Sequence, residues 1–161
     1  MRQFSKAPKG FTLIEILIVV IILGILAAIV IPQFSSASND ARKSSLESTV
    51  QTLRSQVALY RLQHNDKLPG AGTGSTFSSD QFWTDMTSQS DATGLIPPGA
   101  GQNVFGPYMQ DVPRNALNTS TLVLNGANAA TAASACGYEY DYAGGTGKVW
   151  GTGTDSVTVV N

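Results

Sequence analysis

The sequence predicts an α+β protein. A long N-terminal α-helix, its first half transmembrane, packs its second half on a head built around a small antiparallel sheet. Three features lead there. Ile16–Ile31 is an unbroken run of 16 residues with nothing more polar than Gly24. Further on, Leu46, Val50, Leu53, Val57 and Tyr60 recur at steps of 4, 3, 4 and 3, a helical stripe. From Leu68 onward the chain changes character: 14 of its 16 glycines lie there, among short apolar runs separated by turn residues.

The whole-chain averages conceal this segregation. The 161 residues carry 10 Lys+Arg against 11 Asp+Glu, and 42% are hydrophobic. Residues 68–161 hold seven acids (Asp80, Asp85, Asp91, Asp111, Glu139, Asp141, Asp155) against two bases, Arg114 and Lys148. No basic patch is present, which excludes a nucleic-acid binder. The lone cysteine, Cys136, excludes an intrachain disulfide and any cysteine-cluster metal site, and the lone histidine, His64, excludes a multi-histidine centre. No nucleophile–base or paired-acid constellation appears, so an enzyme is not expected.

Four segments follow in order. Residues 1–10 contain Arg2, Lys6 and Lys9 and no acid, a basic leader that stays on the cytoplasmic side of a membrane. Residues 11–32 are the membrane segment: Phe11 to Ile31 spans about 31 Å as a helix, the thickness of the hydrocarbon core. This run is longer than the 7–15 residues of a signal-peptide core and is interrupted by Pro32 before the small residues Ser36-Ala37-Ser38. Residues 33–66 continue the helix as an amphipathic rod, ended by His64-Asn65-Asp66 and Leu68-Pro69-Gly70. Residues 67–161 form the glycine-rich head.

Several residues do not suit a plain anchor. Glu15 lies four residues into the apolar segment, where an unpaired carboxylate costs at least a few kcal/mol. Gly10 offers bare backbone to a peptidase between the basic leader and Phe11. Gly24 and Pro32 both weaken a helix, one through backbone entropy and one through a missing donor.

Those residues stand in KGFTLIEILIVVIILGILAAIVIPQF, residues 9–34, which resembles the N-terminal segment of the type IV pilin and type II secretion pseudopilin superfamily. The resemblance implies a pilin-like fold and a role as structural subunit of a filament. A prepilin peptidase would cut after Gly10 and methylate the new amino terminus at Phe11. Glu15 would be required for assembly, meeting the terminal amine of a neighbouring copy, since an ammonium and a carboxylate in hydrocarbon neutralise each other's cost. The helix from Gly24 to Pro32 would lose regularity inside filaments. The implied partners are further copies in a helical homo-oligomer, an inner-membrane assembly platform and minor pilins or pseudopilins. The implied location is the bacterial inner membrane with the head in the periplasm, then a pseudopilus or surface filament. The competing reading is a membrane-anchored binding module that never polymerises.

In the head, Phe82, Trp83 and Met86 predict a short helix laid against the rod. Residues 70–80, GAGTGSTFSSD, lack the lysine and the flanking strand and helix of a phosphate loop. His64, at a helix C-terminus, reads as a surface residue facing the dipole. Gly106-Pro107-Tyr108-Met109 with Val112-Pro113-Arg114-Asn115 resembles a "GPY" head segment of pseudopilin-like proteins, with Ala116 in place of the usual proline. Thr121–Leu124, Tyr138–Tyr142, Lys148–Gly151 and Ser156–Val160 are candidate strands, giving three or four in an antiparallel sheet. The alternation of Tyr138, Tyr140 and Tyr142 with Glu139 and Asp141 is a strand signal rather than a base-stacking platform. Residues 125–136 read as a surface loop of small residues, and Cys136 as a buried or free thiol. No cofactor is expected, although the resemblance to major pseudopilins admits calcium in the head, held by Asp141, Asp155 and nearby carbonyls.

Overall fold

A run of apolar residues without a polar side has nothing in its own chain to pack on, whereas a stripe does, and the computed structural model divides the chain accordingly. It describes residues 10–71, 76–126 and 136–153. Two compact units emerge, Met1–Asp40 and Ala41–Asn161. One helix, α1 (Leu13–Gln63, 51 residues), contributes to both. In the first unit every large apolar residue from Phe11 to Phe34 is more than half exposed.

The second unit holds the core. The striped residues Leu46, Val50, Leu53, Val57 and Tyr60 are all buried, as their spacing predicts. Helix α1 ends where Asn65 and Asp66 turn left-handed (φ 53° and 64°), a conformation Asn and Asp tolerate best among side-chain-bearing residues. Asp66 accepts from Arg61 there, with Nη2 at 2.6 Å.

The short helix α2 (Ser79–Thr87) forms at the predicted place, with Ser78 as its cap. Phe82 packs against Tyr140 (ring centroids 4.9 Å apart) and Trp83 against Tyr138 (5.9 Å), while Trp83 Nε1 donates to Thr121 O at 2.7 Å. These aromatic rings close the core between α2 and the sheet.

Among the described residues the sheet has three strands, β1 (Val123–Asn125), β2 (Tyr138–Tyr140) and β3 (Val149–Gly151), in that spatial order. It is mixed rather than antiparallel throughout: β2 and β3 run antiparallel, but β1 pairs with β2 in parallel, Val123 opposite Tyr138. The reason lies in connection length. Eight residues join β2 to β3 as a turn, whereas the dozen between β1 and β2 are enough for the crossover a parallel pair requires. The candidate strand at 156–160 and most of the 125–136 loop lie outside the described residues.

Both outer edges of the sheet are capped by side chains from the helices. Val123 N donates to Ser79 Oγ (3.0 Å), and Arg54 Nε donates to Val149 O (2.8 Å). At the other end, α1 lies so close to β3 that a Cβ on Gly151 would sit 2.8 Å from Leu46 side-chain carbons, so only glycine fits.

Two readings change. His64 is not a surface residue: it is fully buried, stacked on Tyr60 at 3.8 Å and 6°. Its Nδ1 donates to Tyr60 O (2.9 Å) and its Nε2 meets Ser90 Oγ (2.8 Å), because the segment carrying Ser90 and Phe105 folds over the end of α1. The strand alternation is also incomplete, since Glu139 is as buried (1% exposed) as the tyrosines beside it. Among the described residues its Oε2 has no hydrogen-bond partner, and burial pushes its carboxyl above the usual range.

Candidate functional site

The residues singled out from the sequence cluster at the start of the first unit. Gly10 and Phe11 precede α1; a Cβ on Gly10 would meet nothing within 4 Å, and Phe11 is 84% exposed. Thr12 is the N-cap and Glu15 the third helical residue. Glu15 Oε2 accepts from Thr12 N (2.8 Å) and from Thr12 Oγ1 (2.7 Å), while Glu15 N leans on Thr12 Oγ1 at 3.4 Å. This is a capping box, two orphan donors at the helix start being satisfied by the Thr–Glu pair. Its signature, Thr-x-x-Glu, stands in the sequence as Thr12-Leu13-Ile14-Glu15 and was readable there.

The box bears on the chemistry of Glu15. One carboxylate oxygen is held against the backbone of the first turn, at the positive end of the helix dipole. The side chain is thereby fixed beside Phe11 and Thr12, at the level where a new amino terminus would begin. Gly24 and Pro32 lie further along, and α1 runs through both; beyond Pro32, Ser36 Oγ donates to Pro32 O at 3.2 Å.

Among the described residues the head carries no comparable constellation. Asp141 spends its carboxylate on the turn after β2, accepting from Gly144 N (2.8 Å) and from Thr146 Oγ1. Asp155 lies outside the described residues. Among the described residues no group of three or more His, Cys, Asp or Glu is placed to hold a metal ion. Asp91 organises the loop after α2, its Oδ1 accepting from Thr93 Oγ1, Thr93 N and Leu95 N; these bonds, the Thr93 hydroxyl foremost, pull its carboxyl down to about 2. Asn115 joins the "GPY" segment to the sheet, donating to Gly137 O (2.6 Å) and Thr152 O (2.8 Å) and accepting from Leu117 N. Tyr108 N and Met109 N both donate to Met86 O, docking that segment on the end of α2. Cys136 is buried, and desolvation raises its thiol pKa, so its thiolate is suppressed. Asn118 Nδ2 is engaged with Cys136 O and Thr152 Oγ1.

The family pattern described as the prokaryotic N-terminal methylation motif matches residues 5–31. The chain is 33% identical over 95 residues to the type IV narrow pilus major component of Thermus thermophilus, covering 52% of this chain and 81% of that protein. It belongs to the type IV pilin family. Other similar proteins include secretion-system proteins and pilins. The type II secretion system core protein G of Escherichia coli is 28% identical over 78% of this chain and 77% of its own length. The type IV major pilin of Neisseria gonorrhoeae is 31% identical over 77% of this chain and 63% of its own. A core protein G from Dickeya chrysanthemi, 38% identical, is matched over 45% of its length. No solved structure matches the chain. This pilin-family chain therefore places its capping box inside the segment that the methylation motif matches.

Proposed function

We propose that this pilin-family protein is the structural subunit of a helical filament, stored in the membrane through α1 and polymerised through the same helix. One observation carries the reading: the large apolar residues from Phe11 to Phe34 are all more than half exposed, around the whole helix, in a chain whose other half packs normally. Such a surface is stable only in lipid or among equivalent helices. A filament core offers the second environment as readily as a bilayer offers the first.

Each residue of the first turn then has a task. Gly10 presents accessible backbone for cleavage by a prepilin peptidase on the cytoplasmic side. Phe11 becomes the methylated amino terminus. Glu15, already oriented by Thr12, keeps one oxygen on the helix cap and turns the other to the terminal amine of a neighbouring copy. Removing residues 1–10 takes away three bases and leaves the subunit with seven bases and eleven acids. The assembly platform and the minor subunits of the inner membrane complete the set of partners, and the head faces the periplasm. Within the family the secretion pseudopilus is the finer reading, supported by a head with one buried cysteine and a "GPY" segment. The protein acts without catalysis and without a resident cofactor.

Mass spectrometry of the mature protein tests this directly. A chain beginning at Phe11 and heavier by one methyl group supports the reading. One beginning at Met1 supports the anchored binding module instead, and one beginning near Asn39, which has lost the membrane segment, overturns both. Deleting the gene then separates the finer alternatives: loss of exoprotein secretion marks a pseudopilus, loss of surface fibres a pilus.

A further inference from the structure

Away from the N-terminus, α1 and the turn between β2 and β3 enclose a notch of about 200 Å³. Its seven lining residues include Val57, Thr146 and Gly147 and three cations, Arg54, Arg61 and Lys148. The later part of the same unit is acidic. The notch is smaller than the roughly 300–1,000 Å³ of small-molecule pockets, a size suited to one side chain. Its backbone wall is fixed in place: Gly147 has φ +68°, and a Cβ there would sit 2.8 Å from Leu68.

The cations differ in how far they are occupied. Arg61 gives Nε and Nη2 to Asp66, the one ion pair among the described residues, and Nη1 to Thr146 O. Arg54 uses Nε on Val149 O, leaving its terminal nitrogens without a carboxylate, and Lys148 is exposed. A guanidinium fork beside an ammonium recognises a carboxylate.

The carboxylate that a second copy would bring is on the same helix. Glu47, Arg54 and Arg61 follow at seven-residue intervals, two turns apart, so they share one stripe of α1 flanking the buried one. Glu47 is exposed. Two parallel copies in unshifted register set Glu47 against Glu47 and Arg54 against Arg54. Displacement by seven residues, about 10 Å, brings Glu47 opposite Arg54; fourteen residues, about 21 Å, bring it opposite Arg61.

We infer that the notch is a contact between copies: the Glu47 carboxylate of one subunit enters the Arg54–Arg61–Lys148 notch of a parallel neighbour displaced along α1. The inference rests on the filament reading and adds to it a second electrostatic latch, in the water-exposed unit. The unshifted register opposes like charges throughout, and the seven-residue shift still sets Arg54 opposite Arg61, so the fourteen-residue displacement is the one free of like-charge opposition along this stripe.

A charge exchange in the full chain, expressed with its own assembly machinery, decides the matter. Lys148→Glu and Glu47→Lys should each lower the yield of sheared fibres about five- to tenfold, as expected for partly exposed ion pairs repeated at every interface. Processing at Gly10 and the melting temperature should not change. The double exchange should restore the yield to within about twofold of wild type. Singles that assemble like wild type, or a double no better than either single, overturn the inference while leaving the filament reading intact. If a single variant lowers the melting temperature, Lys148→Gln and Glu47→Gln replace it, with the same loss expected. A wild-type protein that is unprocessed or forms no fibres sinks the filament reading, and this contact with it.

Discussion

Helix α1 contains two stretches of opposite fate. From Leu13 to Phe34 the apolar residues surround the helix, and Ile14, Ile18 and Ile22 are 62%, 51% and 52% exposed. From Leu46 to Tyr60 a single stripe, Leu46, Val50, Leu53, Val57 and Tyr60, is buried with none more than 4% exposed, while Leu59, off the stripe, is 40% exposed. Leu and Val occur in both; in the first they join isoleucines all round the helix, while in the second polar residues occupy the faces beside the stripe. A stripe commits a helix to one partner inside its own chain. A full circumference commits it to surroundings supplied by something else.

The largest expected effect falls at the start of the exposed stretch. Glu15→Ala should abolish assembly into fibres while leaving membrane insertion and Gly10 cleavage intact, measured by fractionation, N-terminal mass and fibre yield. Normal assembly would show that the pairing of Glu15 with a neighbour's amine is dispensable. Thr12→Val, which removes the hydroxyl but leaves the backbone N–H, should reduce assembly without abolishing it.

Next comes a matched pair of truncations. Leu53→Ala removes a fully buried side chain and should cost about 2–5 kcal/mol, lowering the melting temperature of the head by roughly ten degrees or more. Ile22→Ala, in the exposed stretch, should leave that melting temperature where it was. Equal shifts would erase the distinction between the two halves. Gly151→Ala should cost about 1–3 kcal/mol, because the added methyl meets Leu46.

The smallest effects concern pH and carry opposite signs within the head. Asp91 is held at about 2, below its unfolded value, so its contribution is present above the ordinary carboxylate range and is lost as pH falls towards 2. Asp91→Asn should blunt acid unfolding in that window. Glu139 is raised, so the folded state favours its protonated form and that contribution fades as pH climbs above the ordinary glutamate value. Glu139→Gln should therefore raise the melting temperature at neutral pH and flatten its decline between mildly acidic and neutral conditions. An unchanged pH profile in both variants would show that neither carboxyl is perturbed.

Helix α1, its buried stripe and α2 were legible in the sequence because periodicity reports local geometry, and the first turn was legible because it carries a resemblance. What escaped depended on contacts distant in the chain. His64 reads as a surface residue until Ser90, 26 positions later, closes over it. The parallel pairing of β1 and β2 is decided by what the intervening dozen residues are long enough to do, not by the strands themselves. The roles of Arg54 and Lys148 were equally hidden, since alone each is an ordinary cation on a polar face. The Thr12–Glu15 cap is different, since it is written locally as Thr-x-x-Glu, where Glu15 is at once a carboxylate in an apolar run and the third residue of a helix.

The capped edges of the small sheet have a consequence for life in a crowd. A strand edge with open N–H and C=O groups is a template for adding another chain, and the hazard grows with local concentration. Subunits arrayed along a filament hold their heads shoulder to shoulder at a density that dilute proteins never meet. Ser79 on one edge and Arg54 on the other occupy backbone groups that a neighbouring strand would need. The head can thus be close-packed by the thousand without its sheets zipping together, and growth is left to the helix.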